Sequence, residues 1–386
     1  MSAKNYTPAD MLGELIRFDT TSRESNLDLI NFVADYLNGH GVESQLFYDE
    51  DENKANLVAS VGPDTLNGVV LSGHSDVVPV DGQDWSSNPF EMVERDGRLY
   101  GRGSCDMKGY LATALALVPD FQKSDIKLPI HIVLTYDEET TCGGADRLMP
   151  ELTALGFNPR AVIIGEPTMM QLVNAHKGTC TLETTVTGLS AHTSMPHLGV
   201  NAIAVASELI QELGRLQEKL REHPSPLRGL DPPHSTITVG LINGGTQFNI
   251  VPGECVIGWD IRSVPGDDPD EFVRHLNKAA EALIPKMRET APAANIQTEY
   301  LHRGKAFVPV DDSPAEELVK AVTGINDTLA VGFGTEAVNY QDAGMSVVVY
   351  GPGSIEQAHK PDEFISVDQM NQCADFMRDL VTYLER

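Results

Sequence analysis

Two side chains that can bind a metal or a proton end an apolar run in the segment LSGHSDVVPV (71–80). His74 and Asp76 are two residues apart, and side chains at that spacing in a β-strand point to the same face. An imidazole beside a carboxylate leaves two interpretations open. His74 is either a metal ligand or a strand-end histidine with an ordinary hydrogen-bond partner.

Further acidic and imidazole side chains follow apolar strands or lie in Gly-rich loops beside them. They are Asp106 in GRGSCDMKG, Glu138 and Glu139 in TYDEET, Glu166 in IIGEPT and His359 in EQAHKPDEF. Open α/β sheets bind ligands at the carboxyl ends of their strands, so one cleft can collect all of them. Taken singly, each has a structural alternative, such as a helix N-cap for Asp106.

Histidine and carboxylate ligands without thiolates suit zinc, cobalt or manganese. This set is too large for one catalytic metal and about right for two. Two metals roughly 3.5–4 Å apart can share a bridging carboxylate and promote a displacement at a carbonyl or phosphoryl centre. The doublet Glu138-Glu139 offers one carboxylate to a metal and its neighbour as the base that takes a proton from water. We therefore expect a two-metal hydrolytic site.

The elements that must position these residues alternate between strand and helix over the first 180 residues. Nearly continuous apolar segments such as GVVLSGH, IHIVLTYDEE and AVIIGEP predict strands that are covered on both faces. MKGYLATALALVPDF and ADRLMPELTALG predict helices between some of the strands. The alternation favours an α/β fold with a mostly parallel sheet.

The pattern changes near residue 181, where TLETTVTGLSAH alternates like a strand of an antiparallel sheet with one wet face. A helix, a Pro-rich loop, the strands TITVGLINGG and ECVIGWDIRSV, and a long helix follow. The α/β pattern returns from about residue 293. We therefore expect a catalytic domain formed by residues 1–182 and 293–386, with an α+β domain of residues 183–292 inserted in it.

Composition restricts the class of protein. A chain of 386 residues is long for one core, and its mean hydropathy of −0.18 comes without an apolar run of transmembrane length. The N-terminal segment lacks the pattern of a secretory signal. A net charge of −28 argues against nucleic acid and anionic membranes as partners. Five scattered cysteines predict reduced thiols in the cytoplasm, with Cys105 structural.

In combination and order, several of these segments resemble one enzyme family. GHSDVVPVDGQDW, GRGSCDMKG, DEET, GEPT and SAHTSMPHLGVNA are similar to segments of acetylornithine deacetylases, succinyldiaminopimelate desuccinylases, aminoacylases and related metallopeptidases. The match runs from about residue 70 to 365. It implies a catalytic domain with two metals and an inserted lid or dimerisation domain, and hence a homodimer.

The resemblance also implies a role for each residue of the expected site. His74 and Glu166 would bind one metal, Asp106 would bridge the two, and Glu139 and His359 would bind the second. Zinc is the expected metal, with cobalt able to substitute. Two further residues complete the set: Asp76 would orient His74 through the other ring nitrogen, and Glu138 would act as general base and then as general acid.

Three positions in the inserted domain receive roles only from the resemblance. His192 in LSAHTSMPH would stabilise the tetrahedral oxyanion, often in the site of the partner subunit. Asn249 in TQFNIVPGE and Arg262 in WDIRSVPG match positions that handle the substrate carboxylate or the oxyanion. Without the resemblance, His192 is a surface loop residue and Arg262 forms a surface ion pair.

Three segments are closer to the acetylornithine deacetylase branch than to the desuccinylases. They are NAHKGT (174–179), GFGTEAVNYQDAG (332–344) and GPGSIEQAHKPDEFI (351–365). In them, Gly353 would place backbone groups near the substrate. Glu336 would either meet a cationic substrate tail, such as the ornithine ammonium, or be an ordinary loop acid.

The resemblance thus implies a cytoplasmic metal-dependent amidohydrolase of arginine biosynthesis. Metal-bound hydroxide would attack the amide of N2-acetyl-L-ornithine and release L-ornithine and acetate, with Glu138 as the base. A related amidohydrolase or peptidase is the alternative within this class: a desuccinylase, an aminoacylase or a carboxypeptidase. In a different class, a non-catalytic binder of an amino acid or metal remains open, although a binder has no need of a base such as Glu138.

Overall fold

The computed structural model describes residues 4–386. The strands, in chain order, are β1 (Ser44–Tyr48), β2 (Ala55–Val61), β3 (Val69–His74), β4 (Val93–Arg95), β5 (Arg98–Tyr100), β6 (Ile130–Thr135), β7 (Ala161–Ile164), β8 (Val173–His176), β9 (Gly178–Thr187), β10 (Ala191–His192), β11 (Thr236–Gly244), β12 (Ile250–Val251), β13 (Glu254–Ser263), β14 (Asn295–Gly304), β15 (Leu329–Val331), β16 (Val347–Val349) and β17 (Phe364–Ser366). The helices are α1 (Pro8–Ile16), α2 (Leu27–Gly39), α3 (Lys108–Ala116), α4 (Val118–Lys123), α5 (Gly143–Ala154), α6 (Ala202–Arg221), α7 (Pro269–Thr290), α8 (Pro314–Thr323), α9 (Ala337–Asp342) and α10 (Val367–Leu384).

The chain divides into two compact units. The first runs up to Asn174 and includes Pro309–Leu329 and Thr335–Arg386, and the second comprises Ala175–Val308 and Ala330–Gly334. The domain boundaries expected from the sequence, and the lid or dimerisation role given to residues 183–292, stay predictions. No helix in the part of the chain that the structure describes is long and apolar enough to cross a bilayer.

An eight-stranded sheet in the order β1-β2-β6-β3-β7-β16-β8-β15 confirms the predicted α/β fold. Its centre is parallel, because β3 pairs in parallel with both β6 and β7, and β7 pairs in parallel with β16. Every residue of β3, β6 and β7 is buried, which explains their nearly continuous apolar sequences. The carboxyl ends of β3, β6 and β7 therefore meet at one edge of the sheet.

The helix predicted over MKGYLATALALVPDF is divided in the structure into α3 and α4. Pro119 lies in the first turn of α4, where it fits because the first N–H groups of a helix have no intrahelical partner. All residues of α3 are buried, and its contacts with α1, α10 and β3 make it part of the central core. This core fixes the loop that precedes α3, which carries Asp106.

The second unit contains an antiparallel sheet in the order β11-β13-β9-β14. Helices α6 and α7 contribute buried leucines to a separate apolar core around Trp259. Strand β14 has no counterpart among the strands predicted from the sequence. It is an edge strand with few fully buried residues, so its sequence lacks the apolar run of a central strand.

Candidate metal centre

His74 is the last residue of β3 and is completely buried. Its Nε2 lies 3.1 Å from Asp106 Oδ1 and 3.6 Å from Glu166 Oε1. Its Nδ1 lies 3.0 Å from the backbone carbonyl oxygen of Asp76, which can only accept a hydrogen bond. Nδ1 therefore donates, and Nε2 is the nitrogen that faces the two carboxylates and would bind a metal ion through its lone pair once it has lost its proton.

Strand register brings Glu166 to the same edge of the sheet. Ser72 of β3 is the Cα partner of Ile164 in β7, so His74 and Glu166 each stand two residues beyond this pair. Glu166 is buried, and its Oε1 has no hydrogen-bond partner among residues 4–386. A buried carboxylate oxygen without a partner is costly and is expected where a cation is bound.

Asp106 turns its two carboxylate oxygens toward two different imidazoles. Oδ1 faces His74, while Oδ2 lies 3.3 Å from Nε2 of His359. The same Nε2 of His359 is 2.9 Å from Oε2 of Glu139. His359 lies in a loop, has a φ of +63° and keeps 53% of its side chain exposed. One carboxylate thus links two histidines that come from distant parts of the chain.

Asp76 connects the end of β3 to the loop after β6. Its carboxylate accepts hydrogen bonds from the backbone amides of Glu138 and Glu139, at 3.1 and 3.3 Å, and from Ser22 Oγ at 2.7 Å. Its own Oδ1 lies 3.6 Å from His74 Nδ1, farther than its backbone carbonyl oxygen. The structure therefore adds a function to the one predicted: the carboxylate of Asp76 anchors the Glu138-Glu139 doublet.

The cluster contains more carboxyl groups than positive charges, and the pKa values of these groups reflect this imbalance. Burial, with the neighbouring charge of Asp106, raises the pKa of Glu139 to about 7 and that of Glu166 well above its usual value. Burial and the surrounding carboxylates also raise the pKa of Glu138 well above its usual value. Burial alone would raise the pKa of Asp106 too, but hydrogen bonds from His359 and His74 hold it below its usual value.

The donor set fits divalent metal ions. The ligand atoms of His74, Asp106 and Glu139 lie within 4.8 Å of one another, and so do those of His74, Glu138 and Glu166. Oxygen and imidazole donors of this kind bind zinc and similar ions. A cation would also neutralise the repulsion between the carboxylates and satisfy the unpartnered oxygen of Glu166.

The residues predicted in the inserted domain lie in the second unit. The pairing of β10 with β12 brings His192 opposite Ile250, and the amide of Thr193 donates to the carbonyl of Asn249 at 3.1 Å. Arg262 donates to Asp260 Oδ1 at 3.0 Å and to Thr179 Oγ1 at 2.9 Å.

Gly353 has a φ of +90°, and a Cβ atom there would lie 2.6 Å from Cys105 Sγ. Its backbone N–H donates to Gln369 Oε1, and its carbonyl accepts from the amide of Met169. Both of its backbone groups are thus used inside the first unit, and its substrate role stays a prediction. Cys105 is buried, as expected of a structural thiol.

Glu336 is held inside the first unit, and its predicted contact with a cationic substrate tail stays a prediction. Glu336 is completely buried. Its Oε1 accepts from Ser72 Oγ at 2.8 Å and its Oε2 from Thr135 Oγ1 at 2.6 Å. Because Ser72 and Thr135 belong to β3 and β6, the carboxyl group of Glu336 faces the strands rather than solvent. The sequence showed a loop acid and carried no signal of this burial.

Two functional neighbours were missed by sequence reasoning. Ser22 donates a hydrogen bond to the carboxylate of Asp76, and Glu363 accepts a hydrogen bond from the backbone amide of Asp106 at 3.1 Å. Glu363 lies in the segment quoted for His359, so its position close to a predicted ligand was the available signal. No pattern in the sequence indicated its contact with a residue 257 positions away.

The α/β fold and the imidazole–carboxylate cluster at its strand ends define a metal-dependent hydrolase. The model of Peptidase family M20/M25/M40 matches residues 70–383, and the chain belongs to this family. The chain is 36% identical over 374 residues to an acetylornithine deacetylase from Proteus mirabilis (strain HI4320), covering 94% of this chain and 91% of the relative. It is 35% identical over 370 residues to the acetylornithine deacetylase of Myxococcus xanthus, covering 94% and 93%.

Among solved structures, the aminopeptidase PepT from Bacillus cereus superposes with a TM-score of 0.78 at 19% identity over 100% of both chains. At that identity the similarity concerns the fold. The sequence relatives confirm the family resemblance inferred from the motifs, and membership of the family confirms that the chain is a hydrolytic enzyme.

Proposed function

We propose that this enzyme hydrolyses the amide of N2-acetyl-L-ornithine to L-ornithine and acetate, a step of arginine biosynthesis. The names of the two relatives, which align with 94% of the chain, support this substrate. The segments NAHKGT, GFGTEAVNYQDAG and GPGSIEQAHKPDEFI agree with it, because they resemble the deacetylase branch of the family.

The observation that carries the mechanism is the orientation of Asp106, whose two oxygens face two different imidazoles at 3.1 and 3.3 Å. This supports a site for two divalent ions, zinc by our proposal with cobalt able to substitute. His74, Asp106 and Glu166 would hold one ion, and Asp106, Glu139 and His359 the other. Bound metals of this kind polarise a carbonyl and lower the pKa of a coordinated water to about 7.

Glu138 would move the protons of the reaction. It takes one proton from the attacking water and returns it to the nitrogen of the leaving amine, so the carboxylate is regenerated in each turnover. Two observations support this role: the backbone of Glu138 is anchored by Asp76, and burial raises the pKa of its carboxyl group well above its usual value.

We propose His192 as the donor to the tetrahedral oxyanion. The amide of Ser194 donates to His192 Nδ1 at 3.2 Å, and the neutral ring then carries its proton on Nε2. An N–H group of this kind can donate to a developing negative charge, and loss of one such donor lowers kcat by roughly 10²–10³. Asn249, Arg262 and Gly353 keep their predicted substrate contacts as part of this proposal.

We propose a cytoplasmic homodimer formed through the second unit. Strand β11 is an edge strand of its sheet, and its C-terminal half exposes Leu241 and Ile242. Phe248, in the following loop, is fully exposed. Exposed apolar edge strands are usually covered by another chain. Light scattering of the purified protein tests this, and a mass of one chain at micromolar concentration would refute it.

A substrate comparison tests the proposed function. The protein is stripped with a chelator, reloaded with zinc or cobalt, and assayed for kcat/KM on N-acetyl-L-ornithine, N-acetyl-L-methionine and N-succinyl-diaminopimelate. We expect a clear preference for acetylornithine that depends on added metal. Preference for another substrate would keep the metal chemistry and reject the proposed pathway. Activity unchanged by complete metal removal would reject the metal mechanism.

A further inference from the structure

The loop that carries Asp106 has no regular secondary structure, yet one buried carboxylate organises its backbone. Glu363 accepts hydrogen bonds from the amides of Gly103 at 3.2 Å, Cys105 at 2.9 Å and Asp106 at 3.1 Å. Backbone amides that converge in this way form a concave anion site. The position of Asp106 is therefore set by a side chain that lies 257 residues later in the chain.

Glu363 is held in turn by a buried ion pair. Arg102 Nη1 donates to Glu363 Oε2 at 2.7 Å, and only 1% of either side chain is exposed. Burial raises the pKa of Glu363, and the charge of Arg102 opposes that effect. A buried pair is weak evidence for stability, because desolvation offsets the attraction between its charges. Its hydrogen bonds to the Asp106 loop point instead to a positioning function.

The same arginine reaches the other loop of the centre. Arg102 Nη2 donates to Gln83 Oε1 at 2.6 Å, and Gln83 Nε2 donates to the backbone carbonyl of His359 at 3.0 Å. His359 has a left-handed φ, which a residue with a Cβ atom adopts only when its surroundings impose it. We call Glu363, Arg102 and Gln83 the Glu363 network. It contacts the backbones of both Asp106 and His359.

The remaining ligands are held differently. His74 ends the buried strand β3, and Glu166 follows the buried strand β7 by two residues. Both are fixed by the central sheet, whereas His359 lies in a loop and is half-exposed. A loss of the Glu363 network should therefore act unequally on the two metal positions.

We propose that Glu363 is a positioning residue for the metal position formed by Asp106, Glu139 and His359. It fixes the Asp106 loop directly and the His359 loop through Arg102 and Gln83. The other metal position shares Asp106 but takes His74 and Glu166 from the central sheet, so it depends on Glu363 less. This inference rests on the proposed two-metal function and adds a determinant of how the second ion is bound.

Metal titration tests the proposal without relying on activity. Wild type and Glu363→Gln are stripped with a chelator and titrated with cobalt in a calorimeter. We expect two ions in wild type. In Glu363→Gln the ion held by His359 and Glu139 should bind about 10–100-fold more weakly, the usual effect of losing a partner that orients a ligand, and the ion that keeps His74 and Glu166 should be weakened less. Excess cobalt should then restore kcat in Glu363→Gln. Glu356→Gln, an exposed acid in the same loop, is the matched control and should bind both ions normally.

A second variant keeps the test decisive if Glu363→Gln does not fold. Gln83→Ala removes the hydrogen bond to the His359 carbonyl, together with the acceptor of Arg102 Nη2 and Trp85 Nε1, and keeps the ion pair of Arg102 with Glu363. Selective weakening of one ion in Gln83→Ala supports the proposal. Normal binding of both ions by both variants, or equal weakening of both ions, overturns it. Wild-type protein that binds no cobalt would refute the metal function itself, which is a different result.

Discussion

Asp76 accepts a hydrogen bond from the backbone amide of Glu138 at 3.1 Å. This bond joins the chain segment that carries the predicted metal ligand His74 to the segment that carries the predicted base. Asp76 follows His74 by two residues, and Glu138 follows the neighbouring strand β6. His74 and Thr135, the last residues of the two strands, are Cα partners in the parallel ladder. The register of the sheet thus brings the two segments together, and the carboxylate of Asp76 fixes the remaining freedom of the loop.

This arrangement predicts a large effect for Asp76→Ala. The variant removes the acceptor of two loop amides, so both metal content and kcat should fall, with kcat lower by about 10–100-fold. Ser22→Ala is the matched control, since it deletes one hydrogen bond to the same carboxylate and leaves its charge in place. Metal analysis and steady-state kinetics of both variants check this. Equal effects in Ser22→Ala and Asp76→Ala would contradict it.

Glu138→Ala should separate chemistry from metal binding. We expect normal folding, near-normal metal content and a kcat that is lower by about 10²–10⁴-fold, the usual contribution of a general acid–base group. Glu151→Ala, at an exposed position on α5, is the control for the loss of a glutamate outside the site. Kinetics and metal analysis on the same preparations provide the measurement. Near-normal turnover by Glu138→Ala would remove this residue from the mechanism.

The sequence predicted the centre of the fold well, because β3, β6 and β7 are buried on both faces and short apolar runs of this kind are typical of such strands. Residues at the ends of these strands share one edge, so His74 and Glu166 could be grouped from the sequence alone. Edge strand β14 was missed because most of its residues are exposed or half-buried, so its sequence has no clear apolar pattern. Long-range pairs such as Arg102–Glu363 leave no spacing signal in a single sequence.

The burial of Glu336 is another feature that the sequence did not indicate. A substitution at this position separates a structural role from a substrate contact. Glu336→Ala removes an acceptor of the buried Ser72 hydroxyl and leaves that of Thr135 only its longer contact of 3.4 Å with the Gly73 carbonyl, so the free energy of unfolding should fall by about 1–3 kcal/mol. The loss of kcat/KM should be equal for N-acetyl-L-ornithine and N-acetyl-L-methionine. Denaturant unfolding and both assays test this. A selective rise of KM for the ornithine substrate would instead support the predicted contact with its ammonium group.

Metal removal should lower stability as well as activity. The buried carboxylates of Asp106, Glu139 and Glu166 repel one another, and ions that bind the folded state stabilise it by mass action. We expect chelation to lower Tm by several degrees, since the shift is roughly 2–4 °C per kcal/mol for chains of about 150–250 residues and somewhat less for a longer chain such as this one. Differential scanning calorimetry before and after chelation, with readdition of zinc, measures the effect. A Tm that is unchanged by chelator would contradict it.

His131 predicts a pH dependence of stability that does not involve the metal centre. It is buried in β6, its Nδ1 contacts Ser60 Oγ at 2.8 Å, and its Nε2 has no hydrogen-bond partner in the described residues. Burial lowers its pKa to about 4, so the neutral imidazole is the form that the folded protein accepts. The unfolded chain, with an ordinary pKa of about 6.5, binds the proton first as the pH falls.

Because the unfolded chain binds more protons, the free energy of unfolding decreases as the pH falls. The contribution of His131 to stability is complete above about pH 6.5 and is lost as the pH falls toward 4, by at most about 3 kcal/mol. His131→Leu has no imidazole at this position. Its free energy of unfolding should therefore decrease less between pH 7.5 and pH 4 than that of wild type. Ser60→Ala keeps the imidazole and should retain the wild-type slope. Urea unfolding at a series of pH values compares the three proteins. Parallel pH profiles for wild type and His131→Leu would mean that His131 is already hydrated or protonated in the folded state.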